Sequence, residues 1–495
     1  MRKTIVESVA ENAKLHSEKP AVIAGSVSLS YGQLYALVRK NAAALNSLGL
    51  KKGGIVVLRA DQTTEYVAMY LAIHLAGGIV ASLERNVSDG RIMEVAKHLH
   101  AQMILEDIVD GDTGILCVQR KQLQQCAGEC DLIQEQPVFP CLEDSADILF
   151  TTGTTGASKG VELSHNALVA TAENLLIGCG YGDNTFIIVP GPLNHANAIR
   201  KVFTSFVNGS TVYLLNGMLN LKSFFHALDY PGGVIACCLP PSAIRKLFQL
   251  TGDKLGEYAN KIDFIESATS PLPEPDKLRL CSLLPGTRLY NNYGSSESAS
   301  VCIYDYGRIK NKSGCIGKPT INAKIIIVDE THQEITSSKD RIGFIACSGD
   351  MNMKGYVNAP ELTREVLEGN ILYTNDLGYI DEDGYVYIVG RKGDVINVGG
   401  LKVAPNEVES AALAFPGIDD CICLPTQDPI SGNALKLLFV WAGREKFDPI
   451  RFRKHMKESL EDYKIPRIFE ITDKIERTYN GKLNRKFYLE TKNES

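Results

Sequence analysis

From Lys51 to Leu83 the chain alternates an apolar run, a helical stretch and a second apolar run, and this pattern limits the fold more than any other feature. KKGGIVVLRA reads as a buried strand, the segment from Thr64 to Ala76 as a helix, and GGIVASL as another strand. Strand, helix and strand at this spacing make a βαβ unit, which requires parallel strands joined by a helical crossover. Comparable apolar runs recur at TFIIVP, TVYLL and GVIACCL, with helical patterns between them. Ahead of the first unit, Ser30 and Gln33 form a capping box, and Leu34, Leu37, Val38, Leu45 and Leu48 repeat at helical spacing. Gly49 stands where a helix end takes a left-handed residue. The expected class is α/β, with a largely parallel sheet and packed helices.

The pattern changes near residue 385. YVYIVG alternates like a strand, GRKGD is a polar turn, VINVGGLKVAP is extended, and Asn406 and Glu409 are placed to cap a short helix. A chain of 495 residues exceeds what one core serves. One domain over residues 1–390 and a compact second domain over residues 391–495 are expected. The net charge of −6 offers no basic surface for nucleic acid. No run approaches the roughly 18 apolar residues of a membrane helix, and MRKTIVESVAENAKLHSEKP lacks the apolar core of a signal peptide. A cytoplasmic protein without a membrane span is expected. Its 13 cysteines include adjacent Cys237 and Cys238 and the CxC pair Cys421 and Cys423, but no CxxC, which suits reduced thiols.

Chemistry concentrates first in Thr151 to Gly160, TTGTTGASKG, entered from the apolar run ADILF. A strand that feeds into Thr152, Gly153, Thr154, Thr155 and Gly156 exposes backbone N–H groups and hydroxyls that wrap phosphate oxygens, with Lys159 as countercharge. Ser158 stands where the Walker form needs Gly. Gly156 to Gly160 also matches the GxSxG of an esterase elbow, which must sit directly between a strand and a helix. Ser158 instead lies eight residues beyond Phe150, and the next helical pattern begins only at Ser164. Gly178, Gly180 and Gly182 follow a helical pattern rather than a strand, so they read as a helix-ending loop and not as a dinucleotide fingerprint.

TTGTTGASKG resembles the phosphate-binding signature of the AMP-forming adenylating enzymes: acyl-CoA synthetases, luciferases and peptide-synthetase adenylation domains. The resemblance continues in order through Tyr293-Gly294-Ser295-Ser296-Glu297, Tyr373-Thr374-Asn375-Asp376, Gly390-Arg391, Gly400-Leu401-Lys402-Val403 and Asn480-Gly481-Lys482. It implies a large N-terminal domain of mixed and parallel sheets with packed helices, and a small mobile α+β C-terminal domain. It implies Mg²⁺ on Glu297, α-phosphate contact from Ser296, and an adenine hydrogen bond from Asn291 with Tyr293 near the base. Asp376 is implied to hold both ribose hydroxyls, with Arg391 assisting at ribose or phosphate. Lys482 is implied as the adenylation lysine, a cation between two anions that must approach each other. His195 in PLNHAN is implied beside the acyl pocket, and Ala268, Thr269 and Ser270 in the wall of the acyl and adenine pocket. Gly399 and Gly400 are implied to let a thiol arm pass close to the backbone.

Amino-acid-activating members place an Asp in the segment corresponding to PLNHAN, which has none, and GGLKVAPNEVE is closer to CoA ligases. Three departures from the family pattern stand out. Gly393 occupies a hinge position usually held by Asp or Lys, Asn375 replaces the Gly usual before the ribose-binding Asp, and Ala268-Thr269-Ser270-Pro271 is bulkier than the Gly-Ala-rich norm. The resemblance implies a two-step ligase. A carboxylic acid and ATP, with Mg²⁺, give acyl-AMP and pyrophosphate, and CoA then takes the acyl group. A carrier-protein phosphopantetheine is the alternative thiol. An esterase and a catalytically inactive nucleotide-binding regulator are the readings from other classes.

Overall fold

The first local expectation forms as the residues require. The Ser30 side chain accepts from Gln33 N while Gln33 Oε1 accepts from Ser30 N, and this closed box opens the Tyr31–Ser47 helix. Gly49 takes φ +95° just past its end. Strands Ile55–Arg59 and Ile79–Leu83 pair in parallel on either side of the Thr64–Leu75 helix, so the first unit is a βαβ crossover. The computed structural model describes residues 2–108, 114–119, 122–123, 125–126, 137–151, 159–218, 220–310, 312, 314–429, 432–478 and 483–490.

Two sheets share one apolar core. In the larger, Pro20–Ala24, Thr211–Leu214, Thr185–Val189, Val234–Cys238, Ile262–Ser267 and Arg288–Ser295 lie side by side and parallel. The same sheet continues antiparallel through Ala299–Asp305, Cys315–Pro319, Val386–Arg391, Ile371–Ile380, Gly343–Ser348 and Lys324–Val328. In the second sheet Ile79–Leu83 pairs in parallel with Ser145–Thr151, which then pairs antiparallel with Lys159–Ser164. Helices Tyr31–Ser47, Thr64–Leu75, His165–Cys179 and Ala196–Asn208 fill the space between them, with Leu34, Leu71, Leu168 and Phe203 buried among strand residues Val56, Val80, Val189 and Val212.

Thr151 and Lys159 face each other across this hairpin, so the chain between them joins two strands. A nucleophile elbow joins a strand to a helix. The GxSxG match is therefore not an elbow, and the esterase reading loses its only motif. The glycine series ending at Gly182 behaves as expected: Gly180 ends the His165–Cys179 helix at φ +61°.

A separate core forms toward the C-terminus. Val403, Val408, Phe415, Leu437, Phe439 and Phe452 pack together between the Pro405–Leu413 helix, the Pro449–Met456 helix and a sheet of Ile418–Asp428, Gly432–Trp441 and Ile468–Ile471. One expectation fails here. Asn406 and Glu409 do not cap the Pro405–Leu413 helix, whose N-cap is Ala404 without a side-chain bond. Pro405 at the first helical position presets that turn and lacks an N–H that would go unpaired there. Glu409 is instead buried, accepting from Cys423 N at 2.7 Å and from Arg485 Nη1 at 2.6 Å. The contacts between the two cores include polar ones: Gln249 Nε2 donates to Asp419 at 3.0 Å, and Arg245 stands 3.5 Å from Asp420. No helix among the described residues is long and apolar enough to cross a membrane.

Under the hairpin, His74 Nε2 pairs with Asp147 Oδ1 at 2.8 Å, both wholly buried, and the His165 ring meets His74 edge-on at 4.9 Å. Both His165 ring nitrogens lack partners. Burial, with His74 adding to it, pushes the His165 pKa down from 6.5 to about 2. Between those values the unfolded chain takes up a proton that the folded chain refuses. Stability therefore falls as pH drops from 6.5 toward 2, by at most about 1.4 kcal/mol per pH unit for this group. Urea titrations from pH 7 to pH 4 should show a shallower loss in His165→Leu than in the parent; equal slopes would rule His165 out as the source.

Candidate active site

Antiparallel register brings the first cluster together. Asp376 lies opposite Arg391, and Arg391 Nε donates to Asp376 Oδ1 at 2.9 Å. From the last parallel strand, Tyr293 Oη donates to Asp376 Oδ2 at 2.6 Å. Attraction to Asp376 raises the Arg391 pKa, and burial pushes that of Tyr293 well up. Three residues expected at the nucleoside thus meet around one carboxylate. Asn375 is part of the extended Ile371–Ile380 strand and has no left-handed φ, so its replacement of Gly needs no special backbone tolerance.

The second cluster lies where the two sheets meet. Lys159 Nζ stands 4.9 Å over the Tyr356 ring, and Tyr356 Oη donates to Glu297 Oε1 at 3.0 Å. Glu297 rides on a tight turn in which Ser295 Oγ accepts from both Glu297 N and Ser298 N at 3.1 Å. Gly294 makes that turn possible, because a Cβ there would lie 1.5 Å from Ala299 O. The turn is held from behind by Arg200, which donates to Ser295 O at 2.9 Å and Ser296 O at 3.0 Å. Burial lowers the Arg200 pKa to about 10, with Glu297 and Asp147 opposing, so it stays cationic at neutral pH.

A third group lies at the carboxyl ends of the parallel strands, where open α/β sheets receive ligands. His195 is the N-cap residue of the Ala196–Asn208 helix, without a side-chain cap bond, and is half-buried. Asn291 is buried and pairs in register with Ser267. Ala268 is buried beyond the strand end, and Thr269 takes φ +80°, a strained conformation for a β-branched residue. Gly399 and Gly400 form the exposed two-residue turn between Ile396–Val398 and Leu401–Val403, at φ +60° and +90°. Thr152, Gly153, Thr154, Thr155, Gly156 and Lys482 lie outside the described residues. Thr151 and Lys159 bracket the first group, and Arg485, fixed on Glu409, follows Lys482.

Among the described residues no three acidic, His or Cys side chains gather to hold a metal. A lone carboxylate still fits Mg²⁺, which is held by one or two carboxylates with phosphate and water supplying the rest. Sequence reasoning missed Arg200 and Tyr356. Arg200 and Lys201 were legible as two cations inside the apolar spacing of AIRKVF; Tyr356 carries no local signal.

The fold and these clusters define a nucleotide-binding α/β enzyme built from two unequal units. The chain belongs to the AMP-binding enzyme family, whose profile matches residues 9–357, with the family's C-terminal domain over residues 407–482. It is similar to the feruloyl-CoA synthase of an Amycolatopsis species, 25% identical with 95% of each chain covered. Among solved structures, the anthranilate CoA ligase AuaEII in complex with anthranoyl-AMP superposes with TM-score 0.87 at 18% identity, covering 99% of this chain and 97% of that one. The o-succinylbenzoate CoA synthetase MenE of Bacillus subtilis with ATP and magnesium gives 0.82 at 22% identity, covering 97% and 98%.

Arg200→Lys cannot fork onto two carbonyls. It should raise the KM for MgATP by about tenfold through loosening of the Glu297 turn, comparable to losing one charge-assisted hydrogen bond. Pyrophosphate-release kinetics over a MgATP series check this, and an unchanged KM would mean Arg200 serves packing alone.

Proposed function

We infer that the clusters around Asp376 and Glu297 are the two ends of one ATP site, and that a carboxylic acid reacts between them. The chain is an AMP-forming acyl-CoA synthetase: acid and ATP give acyl-AMP and pyrophosphate, and CoA displaces AMP. The observation that carries the division of roles is the convergence of Lys159, Tyr356 and Glu297 at one end and Tyr293, Asp376 and Arg391 at the other. Asp376 can accept from both ribose hydroxyls once Arg391 and Tyr293 yield, and Asn291 reaches the adenine edge. Thr151 to Gly156 and Lys159 wrap the phosphates, with Ser296 at the α-phosphate. Glu297 would hold Mg²⁺, which screens phosphate charge when bound. His195 borders the acyl group.

Lys482 offsets the repulsion between the attacking carboxylate and the α-phosphate. It sits in the C-terminal unit, which we take to begin at Arg391. The polar contacts through Arg245 and Gln249 and the unhindered Gly393, whose added Cβ would meet nothing within 4 Å, support rotation of that unit. Rotation withdraws Lys482 and brings the Gly399-Gly400 turn to the thiol path. CoA is the thiol, as the name of the Amycolatopsis relative has it for that enzyme, and the reduced cysteines fit a cytoplasmic setting. No observation favours a carrier protein or an inactive regulator.

The half-reactions separate the roles. Lys482→Ala should cut adenylate formation by roughly a hundredfold or more yet still convert supplied acyl-AMP to thioester. Gly400→Leu should keep pyrophosphate exchange and lose thioester formation. Equal loss of both half-reactions in both folded variants would end the rotation model.

A further inference from the structure

Behind the acyl end of the site lies a buried ion pair that the reaction does not use. Lys201 Nζ stands 2.9 Å from Glu266 Oε1, each side chain 1% exposed. Asn292 Nδ2 donates to the same Oε1 at 2.8 Å and to Ser300 Oγ at 3.0 Å. The Cys238 thiol is a further partner of that carboxylate, its pKa pushed up by burial and by Glu266. Lys201 also donates to Asn197 Oδ1 at 3.2 Å, and Asn197 Nδ2 donates to Cys238 Sγ at 3.3 Å. Burial opposes the charge on Lys201, but the attraction of Glu266 outweighs it and raises the pKa, so the lysine is a cation.

These five side chains form one layer. Cys238 and Glu266 are register partners on adjacent parallel strands. Asn292 lies on the next strand, two residues beyond Tyr290, which pairs in register with Glu266. Strand alternation puts all three on one face of the sheet. Asn197 and Lys201, four residues apart, meet them from one face of the Ala196–Asn208 helix. One step inward on the same sheet face, Ala236 and Phe264 belong to the apolar core. A buried ion pair can often be replaced by apolar residues of similar volume without loss of stability, so stability alone does not account for a charged layer here.

The layer also ends the opening at the head of the helix. His195, Ala196 and Asn197 are half-buried, whereas Ala198 through Ser205 are buried. Lys201 follows His195 by six residues, about 9 Å along the helix axis, and the Asn197 side chain takes up part of that length. An acyl tail that enters beside His195 therefore meets charged and polar groups bonded across from the helix to three strands. A longer alkyl chain or a ring would have to part Lys201 from Glu266 and leave a buried charge unpaired. A short tail stops above the layer. We propose that the Lys201–Glu266 pair, with Asn197, Cys238 and Asn292, is the floor of the acyl pocket and restricts the protein to short aliphatic acids such as acetate, propionate and butyrate. This rests on the acyl-CoA synthetase reading and supplies its substrate class.

The test is pyrophosphate release over straight-chain acids from acetate to octanoate, with benzoate and cinnamate as the ring-bearing members. The parent protein should reach its highest kcat/KM at butyrate or below and lose about a hundredfold by hexanoate and by benzoate. The double variant K201A/E266A removes both charges together, since removing one alone would leave the other buried and unpaired, and it deepens the pocket. It should raise kcat/KM for hexanoate and benzoate by about tenfold over the parent, with the thermal midpoint and the KM for ATP reporting that the protein is folded. Should that variant unfold, Asn292→Ala keeps the ion pair, takes one amide out of the floor, and should still raise kcat/KM for hexanoate several-fold. Hexanoate or benzoate used by the parent as well as butyrate, or better, overturns this proposal and leaves the ligase reading standing. A folded K201A/E266A with the parent's chain-length profile also overturns it, as does an unchanged profile in Asn292→Ala where the double variant unfolds. Absence of release with any acid in a folded parent defeats the ligase reading itself, and the proposal with it.

Discussion

The carboxylate of Asp376 ties the two halves of the large sheet together. Tyr293 reaches it from the last parallel strand, and Arg391 from the antiparallel strand that leads into the C-terminal core. A buried acceptor shared by a phenol and a guanidinium is a charge-assisted arrangement, shorter and stronger than neutral bonds. It sets the spacing between the last parallel strand and the strand from which the chain departs toward the second core. Moving Asp376 would release Tyr293 and disturb the exit to the second core together.

The helix Ala196–Asn208 shows how one element serves several parts of the site. Its first residue follows His195, Arg200 fixes the turn that carries Glu297, and Lys201 faces the ends of the central strands. Neighbouring helical residues point about 100° apart, so adjacent Arg200 and Lys201 reach different partners. Both cations are buried, which is tolerated because each is bonded: one to two backbone carbonyls, the other to a carboxylate and an amide.

Several local readings survived folding because their physics is local. The Ser30 box, the helix over Thr64–Leu75, the strands of GVIACCL and TFIIVP, and the glycine end at Gly180 each depend on neighbours within a few residues. The Asn406 and Glu409 caps failed because Pro405 already set the turn and because Glu409 was needed inward, against Arg485. Thr269 shows the reverse case, a residue held at positive φ against its own preference by its surroundings.

The sequence alone determined the α/β class and the adenylating family, since strand periodicity and the order of short motifs are readable without partners. Only the tertiary structure decided that Tyr356 joins Lys159 to Glu297 and that Arg200 braces the turn behind it. It alone brought Lys201, Glu266 and Asn292 to one buried point. Those residues are separated by tens to hundreds of positions, and no spacing rule connects them. Their meeting follows from sheet order and register, which are settled by how the whole apolar core packs.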